Sequence, residues 1–144
     1  MVYWVAWSEI IAGVFMLIDV CGRLFAHGVV GPQQGVFCAL GAVSLVAGVR
    51  LLRRVGAAWL GSVVLQVFLL PVFSVGTVVF RPGLGFFLPV GIQDGAPYQE
   101  LSIGVDFMVD LDAGAHARLF AVNVVAVACL VALWFKRRSL PPPR

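Results

Sequence analysis

Two carboxylates, Glu9 and Asp19, interrupt an apolar run that extends from Val2 to Phe25. An ionisable group in such a run is costly to hold away from water, so it marks a place where protons or cations are handled or where helices are tied together. Asp19 has Arg23 four residues further on, the spacing of an ion pair on one helix face. Glu9 has no basic residue near it in sequence. Together with Ser44, Gln66 and Asn123 from later apolar runs, these residues outline a polar track suited to proton or cation movement. The plainer reading is a set of interhelical hydrogen bonds, each contributing about 0.6–2 kcal/mol.

A second group of acids, Glu100, Asp106, Asp110 and Asp112, lies in one segment. It reads as a docking surface for a basic partner or as a divalent-cation site, although its spacing matches no EF-hand loop. Cys21, His27, Cys38 and His116 are residue types that bind copper, zinc or haem. They come from separate segments without a CxxC or paired-His spacing, so no metal and no cofactor is expected. Cys129 reads as apolar packing. Nucleotide loops, nucleophile elbows and zincin motifs do not occur, and the expectation is a protein that is not an enzyme.

These residues need a scaffold, and composition defines its class. Of the 144 residues 61% are hydrophobic and only 12% charged, and the mean hydropathy is +1.01. A soluble domain is about half apolar and a quarter charged, so this chain reads as an integral membrane protein. Seven of the ten Lys and Arg residues form knots at 50–54 and 136–144, and the ten form no stripe, which argues against a nucleic-acid partner. Apolar runs at about 2–25, 34–52, 55–80 and 119–135 predict an all-α, four-transmembrane-helix bundle in a single domain. Pro71 predicts a kink in the third run. The first run has no basic leader and contains two acids, so it reads as a retained span rather than a signal peptide.

Seven of the ten basic residues fall on one side of such a bundle. That makes it a multi-pass protein of a bacterial inner membrane, with both termini and a short basic tail, 136–144, in the cytoplasm. Trp4, Trp7, Trp59 and Trp134 fall near the same side, as an interfacial belt does. The pairs Ser44/Gly48, Ala57/Gly61 and Ala128/Ala132 are small-residue seams for helix packing. The carboxylate in Trp7-Ser8-Glu9-Ile10-Ile11 resembles that of the small multidrug resistance transporters, where an early carboxylate implies proton and cation binding. That family has short loops, and the 81–118 stretch departs from it. Four spans with one long outer loop are also similar in topology to tetraspanins and claudins, but residues 81–118 hold no Cys.

The outer loop 81–118 carries its own pattern. From Leu101 to Leu111 apolar residues alternate with polar or small ones, Met108 excepted, the period of a half-buried strand. Asp94-Gly95 is a turn signal between that strand and an apolar run near Phe86 to Ile92. A small β-hairpin at about 85–112, lying over the bundle mouth, is therefore expected. The function these features point to is an accessory or scaffold subunit, with the bilayer and a larger membrane protein or further copies of itself as partners. The alternative is a small proton- or cation-coupled transporter using Glu9 and Asp19; an outer-side metal or haem site is a third reading.

Overall fold

The computed structural model describes residues 2–27, 32–53, 58–110 and 117–138. Helices α1 (Val2–His27) and α2 (Pro32–Leu52) form a long antiparallel pair. On α1 the buried positions Ala6, Glu9, Gly13, Met16 and Val20 recur at alternating spacings of three and four, as do Phe37, Gly41, Ser44, Gly48 and Leu51 on α2. That spacing keeps one stripe of each helix on its neighbour. The backbones approach closely, because a Cβ on Gly48 would lie 2.6 Å from the carbonyl oxygen of Ala6, and one on Gly13 2.6 Å from that of Gly41. The Ser44/Gly48 seam thus packs against α1. Gly61 instead faces open space and Ala128 is exposed; Ala57 lies outside the described residues.

The expected four-helix membrane bundle does not form. Among the described residues only α1 and α2 are long and apolar enough to cross a membrane, over Tyr3–Ala26 and Gly35–Leu52. Among its described residues the third run is helical only as α3 (Ala58–Phe68); it then becomes strand β1 (Pro71–Val75), a Gly76-Thr77 turn and the start of β2 (Val78–Phe87). Pro71 disfavours helical geometry at the residue before it and lacks an N–H to donate, so it stops the helix instead of kinking it. Gly76 takes a φ of 62° that closes the turn, and the residues on either side are rich in Val and Phe, which suit strands. The fourth run likewise opens as β6 (Leu119–Asn123) and only then becomes α4 (Val124–Arg138).

With β3 (Pro89–Gln93), β4 (Ala96–Gln99) and β5 (Ser102–Asp110), these strands make a six-stranded antiparallel sheet ordered β4-β3-β6-β1-β2-β5. The Asp94-Gly95 turn is present, with φ of 49° and 86°, but it joins β3 to β4. The 101–111 alternation does mark a strand, β5, yet its partner is β2. Its apolar residues are not all turned inward, since Ile103 and Val109 are exposed. The edge strands β4 and β5 are joined by Glu100 and Leu101 alone, so the sheet must curl until its edges approach.

The molecule has two tiers. At one end Val5, Ala6, Leu51, Cys129, Ala132 and Leu133 form an all-helical cluster. At the other, Met16, Val20 and Phe37 of the long helix pair pack on Leu84 of β2 and Val105 of β5. In this tier the sheet occupies the place that the outer halves of two further helices would take.

Candidate functional site

Glu9 lies where the tiers meet. The stripe of α1 that packs on α2 turns it inward, and it is 2% exposed. Ser62 Oγ donates to Glu9 Oε2 at 2.8 Å, and Gln66 Nε2 donates to Oε1 at 3.2 Å. Ser62 and Gln66 are four residues apart on α3 and so share its inner face. From α2, Ser44 Oγ donates to the Glu9 backbone carbonyl at 2.8 Å. Glu9 therefore ties three helices: each carboxylate oxygen holds a donor from α3, and its backbone carbonyl holds one from α2. A cavity of about 20 Å³ lies beside it, lined in part by Gln66, Asn123 and Cys129, which is room for about one water.

Asn123 is 2% exposed and sits at the strand-to-helix joint rather than inside a helical span. Its Oδ1 accepts from the backbone N–H groups of Leu88 and Val125, each at 3.2 Å, and its Nδ2 donates to the Leu69 carbonyl at 3.3 Å. It is the N-cap of α4 and also the clamp that joins β6 to the ends of α3 and β2. Asn123→Ala removes the cap and leaves buried groups unpaired, so a loss of about 3 kcal/mol is expected in denaturant unfolding of the detergent-solubilised protein. Asn123→Ser, which retains a capping oxygen, should recover part of it.

No known protein family, curated protein or solved structure matches this chain. The site must be read from its own geometry.

Glu9, Ser44 and Gln66 are brought together, with Asn123 across the cavity, whereas Asp19 is not part of the group. Asp19 Oδ2 accepts from Arg23 Nε at 2.9 Å on the exposed side of α1. Cys21 and Cys38 are free and exposed and Cys129 is buried. Among the described residues no three His, Cys, Asp or Glu gather as a metal site. The side chains of His27 and Asp106, and all of Asp112 and His116, lie outside the described residues.

Glu100 is engaged within the sheet rather than free on an acidic surface. It accepts from the Tyr98 hydroxyl, and Arg81 Nη2 of β2 lies 2.5 Å from its Oε1. Arg81 also donates to the Tyr98 hydroxyl at 3.3 Å and stands 5.8 Å over the Phe87 ring. Asp110 is half-buried at the end of β5. Sequence reasoning missed Ser62, whose signal is its spacing from Gln66, and missed the Arg81–Tyr98–Glu100 cluster, which only the curl of the sheet creates.

The Tyr98 hydrogen bond and then Arg81 hold the Glu100 carboxyl below the usual carboxylate range, while burial and the bond to Glu100 raise Tyr98. A carboxylate lowered by folding stabilises the fold above its unfolded value and loses that contribution as pH falls through the folded one. Hydrogen-exchange protection in β4, relative to the intrinsic rate at each pH, should therefore fall in acid, below the ordinary carboxylate range, and Glu100→Gln should abolish that acid step. A β4 protection with the same pH dependence in both proteins would rule out this closure.

Proposed function

We propose that the chain is a non-enzymatic integral membrane protein that acts as an accessory subunit of a larger membrane complex. In this reading α1 and α2 cross the bilayer, and the sheet stands on the outer side as a docking surface. The observation that carries it is an apolar row along the convex face of the sheet. Ile92, Phe120, Phe73, Phe80 and Val109 are successive register partners on β3, β6, β1, β2 and β5. Ile92 is 57% and Phe120 60% exposed. Five strands set this row across about 19 Å at ~4.8 Å per strand. Stacking of Phe73 on Phe80 at 5.4 Å and edge contact of Phe68 with Phe80 at 5.6 Å hold its middle in place. A rigid apolar strip of this length is the feature of an interaction surface.

The orientation follows from charge. Arg50 and Arg53 lie at the helical end, and five more of the ten bases, at 54 and 136–144, lie at or beyond the ends of α2 and α4 in sequence, which favours a cytoplasmic position for that end and for both termini. Photo-crosslinking from position 120 in native membranes should yield one discrete heavier protein adduct. Phe120→Asp should dissociate the complex by at least tenfold in affinity while leaving detergent stability unchanged, because Phe120 faces outward. Adducts to lipid alone, or a complex that withstands Phe120→Asp, would overturn the docking role.

A proton- or cation-coupled transporter is a second reading, favoured by the cavity beside Glu9. The double hydrogen bonding of that carboxylate favours the structural role instead.

A further inference from the structure

The helical end of the molecule carries a groove unrelated to Glu9. It lies between α3 and α4, has a volume of about 590 Å³, and is lined by apolar side chains that include Trp59, Val63, Val131, Trp134 and Phe135. Its size falls within the range of small-molecule sites. Trp59 packs with Leu52 of α2 against one cluster, so the groove opens at the end where α2 finishes. Arg50 and Arg53 sit there, exposed, and neither makes an ion pair among the described residues. Phe135 is followed in sequence by Lys136-Arg137-Arg138. No acid offsets these bases locally, because no Asp or Glu occurs between Asp19 and Asp94 or after Asp112.

An apolar slot flanked by tryptophans, with the exposed guanidinium groups of Arg50 and Arg53 at the same end of the molecule, suits an amphiphile with an anionic head. We propose that this groove binds one anionic phospholipid, its acyl chains between α3 and α4 and its phosphate toward Arg50 and Arg53. The proposal rests on the membrane reading above. Arginine suits the role because its planar fork donates to phosphate in pairs, and basic pockets on the cytoplasmic side of membrane helices recognise anionic head groups in this way.

The test is native mass spectrometry of the full chain released from nanodiscs of phosphatidylglycerol and phosphatidylcholine with matched acyl chains. One phosphatidylglycerol should be retained in preference. The double variant Arg50→Gln/Arg53→Gln should lose the preference yet still retain lipid. Val131→Trp should lose both lipids, since it fills the groove from a position that is 45% exposed and outside the core. Should Val131→Trp fail to fold, unmodified protein in phosphatidylcholine vesicles still decides the matter. Brominated phosphatidylglycerol at trace level should quench tryptophan emission more than brominated phosphatidylcholine does. Equal retention of the two lipids, equal quenching, or retention untouched by Val131→Trp would overturn the site. If alkaline carbonate extracts the chain from membranes, the membrane reading falls together with it; a chain that resists extraction but shows no lipid preference removes the lipid site alone.

Discussion

Gly91→Ala is expected to detach β3 and β4 from the sheet. A Cβ at this position would lie 2.0 Å from the backbone oxygen of Phe120 and 2.5 Å from Cα of Ala121. Both are main-chain atoms of the neighbouring strand β6, so no rotamer change relieves the clash and the strands must part. Overpacking usually costs about 1–3 kcal/mol, and a clash with backbone lies at or above the top of that range. Gly91 pairs with both Tyr98 and Ala121, so the effect passes to β4 and breaks the reach of Tyr98 to Arg81. Limited proteolysis should then cut between Asp94 and Leu101, with a lower melting temperature in detergent. A variant as resistant as the parent would show that β3 and β6 do not approach this closely.

The second large effect is expected at Glu9. Glu9→Leu removes both acceptors and leaves the Ser62 hydroxyl and the Gln66 amide buried without them, each worth about 1–3 kcal/mol. A combined loss of about 3 kcal/mol or more should appear as a lower melting temperature. The triple variant Glu9→Leu/Ser62→Ala/Gln66→Leu should regain much of it, because no polar group is then left unpaired. Proteoliposomes separate this structural role from transport. If the carboxylate only ties helices, Glu9→Gln alters stability and no ion flux; a proton-linked flux abolished by Glu9→Gln would promote the transporter reading.

How much of this was legible depended on whether a pattern has one structural meaning. The 3–4 spacing in α1 and α2 does, and their lengths suit a bilayer, so both helices can be read directly. Asp94-Gly95 also has one meaning, a two-residue turn between strands. Leu69 to Phe80 does not: a stretch of Leu, Val and Phe serves a membrane helix and a buried strand equally. Pro71 and Gly76 were the deciding residues, and a Pro-kinked helix accounts for only the first of them. The pairing of β5 with β2 was beyond local reading, since Gly85 meets Gly104 across a chain separation that no turn signal bridges. For the site, depth along the apolar runs singled out Glu9 and Gln66 as polar groups needing partners. It could not show that they would bond each other, which depends on where α3 stops.

The position of β6 governs the order in which the chain can assemble. This strand, synthesised after the other five, lies at the centre of the sheet, between β3 and β1. Until residue 119 emerges, the nascent chain holds a β3–β4 ribbon and a β1–β2–β5 ribbon, linked through Leu88 and through Glu100 and Leu101 but with no strand between β3 and β1. Each ribbon keeps an unpaired edge, the kind of surface that invites misassociation. Nor can α4 be capped before then, because Asn123 ends the same strand. A ribosome that stalls short of this point therefore leaves two half-sheets on one chain with their inner edges open, and β6 turns them into one sheet.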